Sequence, residues 1–297
     1  MSDDYRLGVD LGGTKIEAAL LEPNGALVSR TRIETPQGEY QGTLKAIRDL
    51  VQEIEHKHQL APLPLGIGVP GSPSPATGLM RNANSLCLND MPLREDLEGI
   101  LQRPVRMAND ANCLALSEAV DGAAAEAGTV FGIILGTGVG GGVVIGKQLI
   151  EGQNAVAGEW GHMPLPWPQQ DECPGGHCYC GRNGCLETWI SGTAVEAEAT
   201  RENIEIKQAT DMITNASAAR LLERWLDRLA RSLAVVINII DPDVIVVGGG
   251  LNRIDAIYEE VPRLLPTWVF SDVVTTRIVP AEHGDSSGIR GAARLWP

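Results

Sequence analysis

The sequence predicts an α/β protein of two lobes that repeat one architecture. Three observations carry this prediction. The chain has 297 residues, enough for about two domains at roughly 100–200 residues each. Short apolar runs that stop at glycine alternate with segments of helical periodicity. A pattern of strand, glycine turn, strand, turn and strand occurs twice, with Leu11-Gly12-Gly13-Thr14 in the first copy answering Leu135-Gly136-Thr137-Gly138 in the second.

The elements follow in order. Residues 6–11 form a short apolar strand, Gly12-Gly13-Thr14-Lys15 a turn, residues 16–21 a returning strand, and Pro23-Asn24-Gly25 a turn into a strand over 26–33. Leu44, Ile47, Leu50, Val51 and Ile54 recur at helical spacing and predict a helix over 41–58. Strands are expected at 65–69 and 105–107, the second ending at Asn109-Asp110, and an alanine-rich helix at 111–125. The second cycle has a strand at 130–135, a glycine-rich turn over 136–142 and a return strand at 143–145. Residues 163–187 show prolines, glycines and cysteines without period, an irregular loop that needs a staple. A long helix presents Leu222, Trp225, Leu226, Leu229, Leu233, Val236, Ile237 and Ile240 on one face. A strand at 244–247 ends in Gly248-Gly249-Gly250, and a short helix spans 288–295. The expected lobes are 1–113, joined by the final helix 286–297, and 114–285.

Composition narrows the function. Apolar residues are 43% and charged residues 21%, the balance of a globular chain. A formal charge of −14 repels phosphate backbones and anionic lipid, so nucleic acid and membrane surfaces are not the expected partners. No apolar run is long enough to span a bilayer, and Met1-Ser2-Asp3-Asp4-Tyr5-Arg6 lacks a signal-peptide pattern. The expected compartment is the cytoplasm, where thiols stay reduced. There, the crowding of Cys173, Cys178, Cys180 and Cys185 reads as metal binding rather than disulfide formation. Cys178-x-Cys180-x4-Cys185 supplies three soft ligands, and His162, His177 and Cys173 compete for the fourth place.

Two familiar motifs are imitated and rejected. Gly136-x-Gly138-x-x-Gly141 has dinucleotide spacing but runs into strand-like Val143-Val144-Ile145 instead of opening a helix. Gly141-x4-Gly146-Lys147 has Gln148 where a phosphate loop requires Ser or Thr. What stands is a pair of glycine hairpin turns, whose backbone N–H groups can approach phosphate oxygens. Facing one another, they can hold a triphosphate between lobes. Asp10, at the end of the first strand, is placed to hold Mg²⁺ through water.

Asp10-Leu11-Gly12-Gly13-Thr14-Lys15, Gly136-Thr137-Gly138 and Gly248-Gly249-Gly250 resemble the two phosphate segments and the adenosine segment of the actin/hexokinase/heat-shock-protein ATPase superfamily. Gly158-Glu159-Trp160-Gly161-His162 and Cys178-Tyr179-Cys180-Gly181-Arg182-Asn183-Gly184-Cys185-Leu186-Glu187 resemble the signature of the ROK family of repressors, open reading frames and kinases. Asn82-Ala83-Asn84-Ser85, Asn109-Asp110-Ala111-Asn112-Cys113 and His283-Gly284-Asp285-Ser286-Ser287-Gly288 are similar to its bacterial fructokinase branch. The resemblance implies an α/β, two-lobed actin/hexokinase-like (ribonuclease H-like) ATPase fold with a zinc-stapled loop.

It further implies an ATP-dependent hexose kinase using ATP and Mg²⁺, with D-fructose as acceptor, a structural Zn²⁺ on His162, Cys178, Cys180 and Cys185, and homodimer assembly. Glucose, mannose or N-acetylglucosamine are the rival sugars. A non-catalytic sugar-sensing repressor is the remote alternative; such proteins carry an N-terminal DNA-binding domain, for which a first strand at Arg6 leaves no room. Asp110, which spacing alone reads as a helix cap, becomes the general base by resemblance. Asn84, Asn109, Asp110, Glu159, His162 and Glu187 become sugar holders, with Asn82 the rival of Asn84 and Gly71 and Ser72 as further candidates. Nucleotide contacts fall to Asp10, Gly12, Gly13, Thr14, Lys15, Gly136, Thr137, Gly138, Gly248, Gly249 and Gly250. Lys15 reads equally as a phosphate contact or a solvated hairpin lysine. Asp285 reads as an N-cap, and Trp160, Trp167 and Trp189 as packing.

Overall fold

The computed structural model describes residues 5–296, so the reading of Met1–Asp4 lies outside the described residues. The first sheet begins with β1 (Arg6–Leu11), β2 (Lys15–Leu21) and β3 (Leu27–Glu34), an antiparallel meander. Helix α1 (Tyr40–Lys57) buries Leu44, Ile47, Leu50, Val51 and Ile54, the stripe its sequence period requires. β4 (Leu65–Val69) is buried at every residue and pairs parallel with β1. The two-residue strands β5 (Ser72–Pro73) and β6 (Met80–Arg81) and helix α2 (Leu93–Leu101) lead to β7 (Val105–Asn109), parallel to β4. The sheet order is β3-β2-β1-β4-β7. Helix α3 (Asp110–Asp121) follows without a loop.

The second sheet repeats this plan. β8 (Thr129–Leu135), β9 (Val139–Ile145) and β10 (Gln148–Ile150) form the meander. After the insert come α4 (Glu187–Ile190), α5 (Gly192–Arg201) and the long α6 (Ala219–Ile240). Then β11 (Val244–Gly248), the short helices α7 (Ala256–Glu259) and α8 (Val261–Leu264), β12 (Arg277–Pro280) and α9 (Ser287–Ala293) complete the chain. The order β10-β9-β8-β11-β12 copies the first sheet, including its two parallel pairings.

Each half sends its final helix to the other half's sheet. On α9, Ala292 lies so close to Gly66 of β4 that a Cβ there would meet its carbonyl oxygen at 1.8 Å. A Cβ on Gly132 of β8 would lie 2.6 Å from Ala115 of α3. The lobe boundary expected at 113/114 therefore falls within α3, which runs unbroken from β7 across the second sheet.

Other departures from the sequence reading have local causes. The turn expected over 136–142 stops at Gly138, because Gly140 and Gly142 belong to β9 and are small where α3 packs; a Cβ on Gly140 would meet Ala111 at 2.9 Å. The helix expected to 125 ends at Asp121. On α6, Leu221 is buried with Trp225, Leu229 and Leu233, while Leu222 and Ile240 sit at the margin of the stripe. Among the described residues, no helix is long and apolar enough to cross a membrane.

Candidate functional site

The parallel strands of the first sheet end together, where Asp10 pairs in register with Gly68 and Val69 with Asn109. Strand ends of this kind leave a crevice between the loops that follow. Here the crevice is a cleft of about 1280 Å³ lined by Asn84, Asn109, Asp110, Gly136, Thr137, Gly138, Glu159, His162, Tyr179 and Glu187.

Asn109 and Asp110 share the work at the start of α3. Asn109 caps the helix, its Oδ1 accepting the Asn112 N–H at 2.8 Å. Asp110 is therefore released from the capping role; its carboxylate takes the Ala111 N–H at 2.8 Å and its own backbone N–H. Its side chain is exposed at the cleft, and the protein packed around it raises its carboxyl above the ordinary aspartate range.

Asp10 stands below the first turn. Desolvation, then the charges of Asp110 and Glu17, lift its pKa to about 6. Two crowded carboxylates with a raised pKa suit a divalent cation, so the donor chemistry fits Mg²⁺. Lys15 lies 4.0 Å from the buried Glu17, which also receives Arg30 at 3.0 Å and Arg32. This cation cluster was not visible in the sequence, since its members lie on different strands.

The two glycine turns differ in setting. The first is closed by Gly12 N–H to Lys15 O at 2.9 Å and by the Thr35 hydroxyl to Gly12 O at 2.8 Å. Gly13 and Thr14 face a smaller cavity of about 360 Å³ with Thr35, Asn84 and Ser85. The second turn faces the main cleft. Glu187 accepts the Val139 N–H at 2.9 Å, and a Cβ on Gly138 would meet that carboxylate at 2.6 Å. A side chain there would displace the Glu187 carboxylate from the turn. Gly248 ends β11, Gly249 has φ +83° against Leu135, and Gly250 lies beside Gly136.

Asn82 (φ +58°) and Asn84 flank the buried Ala83, whose N–H and C=O both bond to the Asn89 side chain at 2.9 Å. That clamp, absent from the sequence reading, is what holds Asn82 and Asn84 at the cleft. Ser72 also lines it, and Gly71 lies at its edge, where a Cβ would strike Arg81 O at 2.6 Å. Glu159 lies at the mouth; desolvation raises its carboxyl, and His162 and Arg81 oppose this.

His162, Cys178, Cys180 and Cys185 bring their ligand atoms within 4.8 Å of one another. His162 Nδ1 is 3.5 Å from Cys178 Sγ, and Cys180 Sγ is 3.6 Å from Cys185 Sγ. Burial pushes the Cys185 thiol to about 12, a cost that a thiophilic cation would reverse. The donor set fits tetrahedral Zn²⁺. Cys173 stands outside the group, and His177 turns to Asn183 at 3.3 Å. His162 Nε2 lies 3.0 Å from the Tyr179 hydroxyl. The insert is fastened to α6 by buried ion pairs: Arg228 and Arg231 both reach Glu172 at 2.8 Å.

Trp160 and Trp189 are buried, and Trp167 stacks on Trp268 at 5.3 Å. The N-cap reading of Asp285 is corrected: Asp285 sits in a single turn of 3₁₀ helix, and Ser286 occupies the position before α9. The reason is the backbone: His283, Ser286 and Ser287 are all right-handed, so the chain turns into α9 without the extended residue an N-cap needs.

The sequence profile of the ROK family matches residues 6–297. The N-acetyl-D-glucosamine kinase of Yersinia pseudotuberculosis is 39% identical over 97% of both chains. The ROK hexokinase of Thermus thermophilus superposes with a TM-score of 0.83 and 29% identity, over 98% of this chain and 97% of its own. A ROK family glucokinase from Streptomyces griseus, solved with glucose and AMPPNP, gives a TM-score of 0.76 and 27% identity over 98% of both chains. The fold is thus the two-lobed actin/hexokinase-like α/β fold that the sequence led us to expect, and the chain belongs to the ROK family.

Proposed function

We propose that this chain is an ATP-dependent hexose kinase, a phosphotransferase acting on a primary sugar hydroxyl, with D-fructose as the acceptor and D-fructose 6-phosphate and ADP as products. The observation that carries the reading is Asp110, a carboxylate with a raised pKa, open to a cleft that also presents Asn84, Asn109, Glu159 and Glu187. Asp110 accepts the hydroxyl proton as that oxygen forms a bond to the γ-phosphorus and the bond to the β-phosphate oxygen breaks. Carboxylates and amides on the cleft wall accept and donate to vicinal hydroxyls and orient the acceptor. Backbone N–H groups of the Gly12-Gly13 and Gly136–Gly138 turns face the phosphates, and Gly248–Gly250 the adenosine. Mg²⁺ held through Asp10 would neutralise phosphate charge. The 1–113 lobe with its returning helix and the 114–285 lobe would close to keep water from competing as acceptor. A cytoplasmic homodimer and a structural Zn²⁺ belong to the same reading and rest on the resemblance and the ligand group.

Two observations bear on the sugar. The sequence resemblance of Asn82–Ser85 and Asn109–Cys113 to the fructokinase branch favours fructose. Whole-chain identity of 39% to an N-acetyl-D-glucosamine kinase favours that sugar instead. We give the cleft segments more weight, because most identities across a whole chain fall on residues that never touch substrate. A coupled ADP-release assay with fructose, mannose, glucose and N-acetyl-D-glucosamine decides. The proposal expects the highest kcat/KM with fructose; a preference for N-acetyl-D-glucosamine replaces the acceptor, and no turnover with any sugar removes the kinase reading.

A further inference from the structure

Arg81 is rooted on a fixed stretch of the first half and reaches into the second. In the β5–β6 pair it lies opposite Ser72, and a Cβ on Gly71 would meet its carbonyl oxygen at 2.6 Å. Asn82 and Asn84 follow, held by the Asn89 clamp. The guanidinium crosses to the loop after β10, where Nη2 donates to the Asn154 carbonyl at 3.2 Å.

That loop leads into Glu159. Gly158, with φ +86°, seats its end on the second sheet, where a Cβ would meet the Gly141 carbonyl of β9 at 2.5 Å. Just beyond, Trp160 Nε1 donates to Gly140 O at 2.9 Å. The loop is thus fastened to its own sheet at one end and to Arg81 in its middle.

Charge gives the contact a task. Asp110 ends the first sheet, whereas Glu159 and Glu187 belong to the second half. Burial first, then Asp110 and Glu187, raise the Glu159 carboxyl. Of the groups that oppose this, His162 belongs to the second half and Arg81 to the first. Carboxylates on facing walls repel, so a cation reaching across eases their approach. The Arg81 Nε–H is also buried without a partner. An arginine with nothing to hold avoids that by turning its head into water.

We propose that Arg81 is a positioning residue for the acceptor sugar: its guanidinium bridges the Asn82–Asn84 segment and the loop that carries Glu159, so that both walls close on one set of hydroxyls. The inference rests on the hexose-kinase reading above and deepens it. Arg81 acts through Asn84 and Glu159, so its loss shows in sugar affinity and not in nucleotide affinity.

The test uses the full chain with Arg81→Met, which keeps the aliphatic stem without the donors, and Arg81→Lys, which keeps the charge. Fructose, mannose, glucose and N-acetyl-D-glucosamine serve as acceptors in the coupled ADP-release assay, so the result does not depend on which is preferred. For the parent's preferred sugar, Arg81→Met should raise KM about three- to tenfold, with KM for ATP within about twofold. Arg81→Lys should recover part of that loss, because its ammonium retains the charge that acts on Glu159. Should Arg81→Met not fold, Arg81→Gln takes its place with the same expectation. A sugar KM within about twofold of the parent, or KM for sugar and ATP rising together, overturns the inference. If the parent turns over no sugar, the kinase reading fails separately. Calorimetric titration of the four sugars then reads Arg81, and equal affinity in parent and variant overturns its role.

Discussion

The two halves lay their strands in the same order and direction, yet their final strands lead to different chemistry. In the first half, β7 ends at Asn109 and passes straight into α3. The cap belongs to Asn109, and Asp110 projects into the cleft. In the second half, β12 leads through a 3₁₀ turn to α9, and Ser287 bonds back to Glu118 of α3. The helices cross where Gly291 of α9 meets the Cys113 carbonyl, at a distance only glycine permits. One junction thus leaves a carboxylate open to the cleft while its counterpart serves as a fastening.

The most severe way to break this contrast is Asp110→Asn. It keeps the side chain's size and its bond to the Ala111 N–H but removes the proton acceptor. Turnover should fall by roughly 10²–10⁴-fold, with sugar affinity within about tenfold of the parent. Steady-state kinetics with calorimetric sugar binding reads both. Retained turnover with a large loss of binding would make Asp110 a sugar holder and leave the reaction without its base.

The insert sharpens the contrast from the other side. After β3, the first half goes directly to α1, whereas the second half follows β10 with the thiol-bearing loop. That loop carries the four-ligand group and is tied to α6 by Glu172 under Arg228 and Arg231. Cys180→Ser should reduce bound zinc and destabilise the protein by about 2 kcal/mol or more, several degrees in Tm. Unchanged metal by elemental analysis would remove Cys180 from the ligand group.

These contrasts were unevenly legible in the sequence. Apolar runs bounded by glycine marked β4 and β8 because burial on both faces leaves no alternation to misread. Gly140 and Gly142 misled, since a glycine placed for helix approach looks the same in sequence as one placed for a turn. The stripe of Leu93, Leu97 and Leu101 in α2 is too short for its period to stand out. Site residues were named through motif segments, which are local. The groups that fix those segments were not, because Asn89 acts through backbone, and Glu172 and Asp121 find their arginines 56 and 173 positions away. Tyr179 lay inside a quoted motif, but nothing in the spacing said that its hydroxyl would meet His162.

The smallest effect tests the fastening itself. Asp121, at the end of α3, receives His283 Nε2 at 3.1 Å, Arg290 at 3.0 Å and Arg294 at 2.7 Å. Partial burial alone would raise its carboxyl, but hydrogen bonds from His283 and Arg294 hold it well below the usual range. The bond to Asp121 raises the pKa of His283 in turn. A histidine whose folded pKa is raised stabilises fully below its unfolded value of about 6.5, and that contribution disappears as pH climbs through the folded pKa. The Asp121 contribution behaves oppositely: it is present above about pH 4 and lost as the solution is acidified. His283→Asn should therefore lower stability by about 0.5 kcal/mol near pH 6, about one to two degrees in Tm, and by less near pH 9. Thermal unfolding at the two pH values measures the difference. An equal loss at both would mean that His283 holds the crossing of α3 and α9 through shape and not through its charge.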